Sequence, residues 1–226
     1  MKPHQLPFYN RRFSILFFSI LIVSVLHVFV QGDLGNRILS GFSVLVLLSA
    51  IYSVYQWKLE ICLAVILVLP LLYVAAFGDQ AINETVITVI ASVYMIFLGY
   101  TVFVILKYVL TQETVTSNSV FGSLCVYLLL GYIWSLVYLL IEFYVPGSFM
   151  SNVSPLNIHG SSFSDIINNF IYFSFVTLAT LGYGDIVPMT EESRMIAVFE
   201  AICGQLFLVV LVANLVGRHS RRGRSR

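Results

Sequence analysis

Residues 177–185 read TLATLGYGD. Two glycines, a tyrosine and an aspartate stand here between two long apolar runs, where a membrane helix would otherwise be expected. Glycine lets the backbone leave helical geometry, so the question is why so apolar a chain exposes its most flexible backbone at this point. Of the 226 residues, 59% are hydrophobic and 10% charged, against about 25% charged in a soluble globular chain. That composition is a membrane protein's. The net charge of +1 says little, because the charges are segregated. Cys62, Cys125 and Cys203 lie far apart inside apolar runs, a spacing that fits neither a zinc site nor a redox pair. All three are expected to be small buried hydrophobes.

A membrane-spanning helix needs about 20 mostly apolar residues. Six runs qualify: 13–30, 38–55, 59–77, 85–108, 120–145 and 194–216. Lys2, Arg11 and Arg12 before the first run resemble a signal peptide's opening, but the run exceeds a signal core of roughly 7–15 residues and no small-x-small cleavage site follows. It is read as a retained helix. The short link QWKLE predicts a tight hairpin of the second and third helices, and Pro70 a kink in the third. A seventh apolar stretch, 163–178, is too short to cross and carries Ser164, Asp165, Asn168 and Asn169 in its first half. Ser161 and Ser162 are good helix caps, and Ser162 with Asp165 resembles a capping box. A short helix starting at the membrane surface is expected, with the quoted stretch following at once.

With six spans, both ends lie on one side. That side holds Lys2, Arg11, Arg12, Lys58, Lys107 and the arginines of RHSRRGRSR, against only Glu60 and Glu113. The other holds Asp33, Asp79, Glu84, Glu142, Asp165, Asp185, Glu191 and Glu192, against Arg37 and Arg194. The positive-inside rule then places both termini in the cytoplasm of a multi-pass cell-membrane protein. A full crossing by 163–178 would put the arginine-rich tail outside. That segment is therefore expected to enter from the outside and return there, as a re-entrant loop. Bare backbone at membrane depth is tolerated only where protein buries it or where it lines a watery cavity.

Thr180-Leu181-Gly182-Tyr183-Gly184-Asp185, after a short helix and before Pro188 and a last apolar helix, resembles the selectivity filter of the potassium channel family. The resemblance to the whole pore module covers residues 120–216. It implies that the carbonyls of Thr180, Leu181, Gly182 and Tyr183, with the Thr180 hydroxyl, replace the hydration shell of K+, and that Gly182 and Gly184 permit the required backbone. Thr177 would support the filter. Asp185 would sit at the outer mouth, bonded to Tyr172. Gly204 matches the inner-helix hinge; close helix packing is the competing reading. Leu208, Val212 and Val216 follow at i+4 spacing as candidates for the cavity wall and gate. Gln205 and Asn214 either face the cavity or bond between helices. Glu200, read as the one carboxylate within an apolar span, is either a bond to the pore helix or a neighbouring subunit, or a proton-sensitive brace behind the filter.

The chain also departs from the family pattern. A voltage-sensing fourth helix carries several spaced arginines, whereas 85–108 offers only Lys107, and the second run has no buried acid. The linker TQETVTSNS lacks an apolar stripe. Leu181 stands where valine is usual, Tyr172 and Phe173 where two tryptophans are common, and Val176 where some bacterial pores carry an acid. His27 is read as packing, and Asn83 and Asn152 begin glycosylation sequons.

The expected fold is an all-α membrane protein. Each subunit has six transmembrane helices, one re-entrant pore helix and a selectivity filter, in a fourfold symmetric pore. Residues 1–110 would form a charge-depleted, voltage-sensor-like peripheral domain, 111–119 a linker, 120–217 the pore domain and 218–226 a basic cytoplasmic tail. One chain supplies one filter segment, so four identical chains are needed. The expected function is passive potassium conduction without strong voltage gating. A weakly selective cation pore or silent subunit, and a non-conducting scaffold or transporter subunit, are the competing readings. A single re-entrant segment counts against a transporter built from repeats. No set of acid, base and nucleophile suggests an enzyme, and neither a cofactor nor a nucleic-acid partner is expected. Anionic lipid headgroups are expected at the tail arginines.

Overall fold

The computed structural model describes residues 12–29, 84–112, 115–151, 154–155 and 163–224. The runs 38–55 and 59–77, with Asn83, Asn152, Ser161 and Ser162, lie outside the described residues, as does the side chain of His27. The elements are α1 (Arg12–Phe29), α2 (Glu84–Thr111), α3 (Ser117–Tyr144), β1 (Phe149–Ser151), β2 (Ser154–Pro155), α4 (Phe163–Leu178), β3 (Ile186–Pro188) and α5 (Glu191–Arg224). Three helical stretches among the described residues are long and apolar enough to cross a membrane: Thr85–Thr111, Ser117–Tyr144 and Glu191–Asn214.

Helix starts follow local chemistry. Thr116 caps α3: its Oγ1 accepts the Ser119 N–H at 3.1 Å, while Ser119 Oγ accepts the Thr116 N–H at 2.9 Å. Thr190 and Ser193 repeat the arrangement at α5, at 3.3 and 3.2 Å. Each is a reciprocal box that satisfies two otherwise orphaned N–H groups. Glu191 and Glu192 in the first turn of α5 face the positive end of its dipole. Two boundaries differ from the apolar runs. Helix α3 begins three residues before position 120, because capping and not hydropathy sets its start. Helix α5 continues through the basic tail to Arg224.

Contacts divide the chain into two compact units. The first comprises Met1–Ala81, Ile96–Leu128 and Arg218–Arg226. In it Phe13, Leu16 and Ile20 of α1 are buried. Gly122 of α3 admits them: a Cβ there would stand 3.1 Å from both Phe13 and Val109. Asn118 Oδ1 accepts the Phe13 N–H at 3.2 Å, supplying a partner to a helix-start donor. The Arg12 guanidinium stacks on the rings of Phe13 and Tyr108, 4.7 and 4.6 Å from their centroids.

The second unit comprises Ile82–Met95 and Leu129–Gly217. Its core is aromatic. Tyr138, Phe149, Phe170 and Phe173 meet edge to face at centroid distances of 4.9–5.4 Å, joined by Ile87, Leu139, Ile166 and Ile186. Lipid is as apolar as these side chains, so packing geometry rather than escape from water holds such a core together. The fold is mostly helical, with one small sheet added. β1 pairs antiparallel with both β2 and β3, with Phe149 opposite Pro188 and Ser151 opposite Ile186. These strands are too short to stand out from a sequence as apolar as this one.

Candidate ion-conduction segment

The sheet explains how the quoted stretch is presented. β1 precedes α4 and β3 follows Asp185, and the two strands are hydrogen-bonded to each other. The segment that contains α4 and residues 179–185 therefore leaves the sheet and returns to it. At 16 residues, α4 is about 24 Å long, short of a hydrocarbon core of about 30 Å.

Helix α4 ends where the chain turns back on it. The Ala179 N–H reaches Phe175 O at 3.0 Å, the Thr180 N–H reaches Thr177 O at 2.9 Å, and the N–H groups of Leu181 and Gly182 both reach Val176 O, at 2.9 and 3.5 Å. The last carbonyls of α4 are thus satisfied by the strand that follows. φ is positive at Thr180 (57°), Gly182 (61°) and Gly184 (77°), and at neither residue between them. Alternating left- and right-handed residues turn successive peptide planes the same way, unlike a β-strand, whose successive groups alternate. With the N–H groups of residues 180–182 turned to α4, the carbonyls of residues 180–184 are left open. None of them accepts a hydrogen bond among the described residues. Thr180 is β-branched and disfavours this region; such strain is of order 1–3 kcal/mol and is characteristic of functional sites.

The flanks are anchored. Tyr172 Oη donates to Asp185 Oδ2 at 2.6 Å, which holds the Asp185 carboxyl below the usual carboxylate range and pushes the Tyr172 hydroxyl up to about 12. Leu181 and Tyr183 are 56% and 67% exposed among the described residues. Thr177 is in the last turn of α4, half-buried. Among the described residues no cluster of His, Cys, Asp and Glu could hold a metal ion.

Behind the strand, α5 lies against α4. A Cβ on Gly204 would stand 2.5 Å from Leu178 O, a backbone atom. This close approach accounts for the glycine, and α5 runs through it without a break. Leu208 and Val212 are exposed on the protomer; Val216 is helical, its side chain outside the described residues. Gln205 is exposed and Asn214 half-buried. Cys125 is buried as expected, but Cys203 is exposed, because it lies on the open α5 face with Phe199 and Ile202.

Glu200 is fully buried. Its Oε1 meets Ser174 Oγ of α4 at 2.5 Å, and its Oε2 meets Tyr138 Oη of α3. Ser174 Oγ also lies 2.7 Å from Gly131 O, and a Cβ on Gly131 would stand 2.7 Å from the Phe175 ring. Tyr138, Ser174 and Gly131 were not singled out from the sequence. The signal was Glu200 itself, which needs partners at that depth, but only helix packing selects them. Glu200 is also not the one carboxylate within an apolar helix. Glu142, expected among the outer acids, is buried at the end of α3, where it accepts the N–H groups of Gly147 and Phe149 at 2.8 and 2.9 Å. It closes the turn into β1, a role that charge counting does not show.

Comparison with known proteins gives the class first: residues 123–220 match the family described as Ion channel. Similar proteins include Potassium channel K2 of Plasmodium berghei (strain Anka), 38% identical over 53 residues, which is 22% of this chain and 4% of that protein. Inward rectifier potassium channel Kirbac3.1 of Paramagnetospirillum magnetotacticum is 30% identical over 95 residues, 42% of this chain and 28% of that protein. Protein LctB of Geobacillus stearothermophilus is also 30% identical over 95 residues, 66% of its length. No solved structure matches significantly. Over this region the chain is similar to potassium channels, and its apolar helices are those of a membrane protein. It spans well under a third of the first relatives it matches.

Proposed function

We propose that four copies of this chain form a potassium-selective pore in the cell membrane, with K+ stripped of water and held by the carbonyls of Thr180, Leu181, Gly182 and Tyr183. The observation that carries this reading is the alternation of positive φ at Thr180, Gly182 and Gly184, with the N–H groups of residues 180–182 turned to α4. Backbone so arranged offers a column of oxygens and no side chain. The negative end of the α4 dipole adds a preference for cations. A segment that binds on one side only needs symmetry to surround an ion, and cyclic assembly supplies it. Exposed Met195, Val198, Phe199, Ile202, Leu206 and Val209 on α5 give neighbouring copies and lipid an apolar surface to cover.

The remaining proposals follow the charges. Six spans with both termini cytoplasmic satisfy the positive-inside count, and the tail arginines lie at anionic headgroups. Residues 1–110 serve as a peripheral domain to the pore domain at 120–217. Helix α2 carries one basic residue, Lys107. Moving one charge is worth roughly 2.3 kcal/mol per 100 mV, and steep gating takes three or four charges per subunit, so conduction depends weakly on voltage. Reconstitution into liposomes under opposed K+ and Na+ gradients tests the reading. A reversal potential that follows K+ is expected. One between the two ions indicates a weakly selective pore, and tetrameric protein without flux indicates a scaffold or silent subunit.

A further inference from the structure

The buried cluster at Glu200 has three close oxygen–oxygen contacts, and each needs a hydrogen. Ser174 Oγ lies 2.7 Å from Gly131 O and 2.5 Å from Glu200 Oε1, and Tyr138 Oη meets Glu200 Oε2. A peptide carbonyl only accepts, and a hydroxyl has one hydrogen to give. Ser174 and Tyr138 together supply two hydrogens. With an ionised Glu200 one contact would set two bare oxygens against each other, fully buried. With a proton on Glu200 the count closes: Ser174 donates to Gly131 O, Glu200 donates to Ser174 Oγ, and Tyr138 donates to Glu200.

The surroundings agree. From α3 the group facing Glu200 is Tyr138; Glu142, one turn further along α3, is occupied by the N–H groups of Gly147 and Phe149. From α4 it is Ser174. On α5 itself Arg194 is exposed and bonds Pro188 O, while Glu191 and Glu192 are exposed. No Lys, Arg or His among the described residues is bonded to Glu200. An unpaired carboxylate at this depth is strongly disfavoured.

We propose that Glu200 is held as a neutral carboxylic acid and, by donating to Ser174, positions the pore helix and hence the ion-binding strand. Ser174 and Leu178 are one turn apart on α4, as are Glu200 and Gly204 on α5, so two successive turns of each helix form one seam. It ends two residues before Thr180. The positioning role rests on the channel reading; the protonation state does not.

The test uses the full chain reconstituted in lipid. Infrared difference spectra between wild type and Glu200→Gln at neutral pH are expected to show a protonated-carboxyl band that the variant lacks; no such band overturns the assignment. Ser174→Ala is expected to lower the K+ to Na+ permeability ratio about tenfold, while Glu200→Gln, which keeps a donor toward Ser174 and an acceptor toward Tyr138, stays within about twofold of wild type. A Ser174→Ala ratio equal to wild type overturns the positioning role. A Glu200→Gln ratio that falls as far as that of Ser174→Ala overturns the neutral acid. If Glu200→Gln does not assemble, the band is followed in Ser174→Ala, where loss of the acceptor must shift it, and an unshifted band overturns the bond. A wild type that conducts nothing refutes the channel reading and still leaves the infrared result decisive for the proton.

Discussion

The strand that follows α4 and the helix seam behind it both depend on glycine, for opposite reasons. Gly182 and Gly184 have positive φ and nothing within 4 Å of where a Cβ would stand. Gly131 and Gly204 have ordinary helical backbone but no room for a Cβ. The strand needs a conformation and the seam needs a close approach. One asks for backbone that can adopt an unusual turn, while the packing of the three helices asks for backbone that can be touched.

Substitution can break this comparison. Gly204→Ala sets a methyl against the Leu178 carbonyl, which cannot rotate away, so α4 and α5 must separate. Overpacking of this kind costs about 1–3 kcal/mol, and a lower thermal midpoint of the assembled protein in detergent, with loss of conduction, is expected. Unchanged stability would mean that the seam is loose. Gly182→Ala meets open space but a disfavoured φ, at roughly 1–2 kcal/mol. Here the midpoint is expected to stay near wild type while the reversal potential moves away from that of K+. If the midpoint falls as far as in Gly204→Ala, the two classes of glycine are not distinct.

Smaller effects sharpen the same contrast. Thr190→Ala removes the cap of α5 and is expected to destabilise by about 1 kcal/mol without altering the permeability ratio, because it touches the seam's helix far from its contact with α4. Tyr172→Phe acts on the strand alone. In wild type the Asp185 carboxyl lies below its ordinary value, so what the pair contributes is present at neutral pH and is lost only as outer pH falls through that lowered value. The acid block of K+ flux is expected at a midpoint below about 3.9, the ordinary aspartate value, and the variant's midpoint is expected to rise toward it. Identical titrations would separate Asp185 from the block.

Much of the strand was legible because its requirements are local. Gly-Tyr-Gly-Asp at 182–185 and a short helix with polar residues in its first half lead to a helix followed by a non-helical stretch without any packing information. The bounds of α4 coincide with the apolar stretch 163–178 for the same reason. The seam was legible only as a question. Glu200 in an apolar run demands partners, yet Ser174 and Tyr138 stand among many hydroxyls. The role of Glu142 went unseen because its charge was counted and its neighbours across the turn were not. The sheet went unforeseen because its pairings join residues 149–151 to 186–188 across the whole re-entrant segment.

The sequence by itself determined a membrane chain, its apolar segments and a glycine-bearing stretch of backbone free to leave helical geometry. Those are consequences of hydropathy, charge and φ preference, each carried by a residue or its near neighbours. Only the tertiary structure decided which carbonyls stay open, which hydroxyls meet Glu200 and why Gly204 has no side chain. Each of these depends on the distance between helices remote in sequence. In a membrane that distance is set by the fit of surfaces and the completion of hydrogen bonds, because the surrounding lipid offers no water to expel.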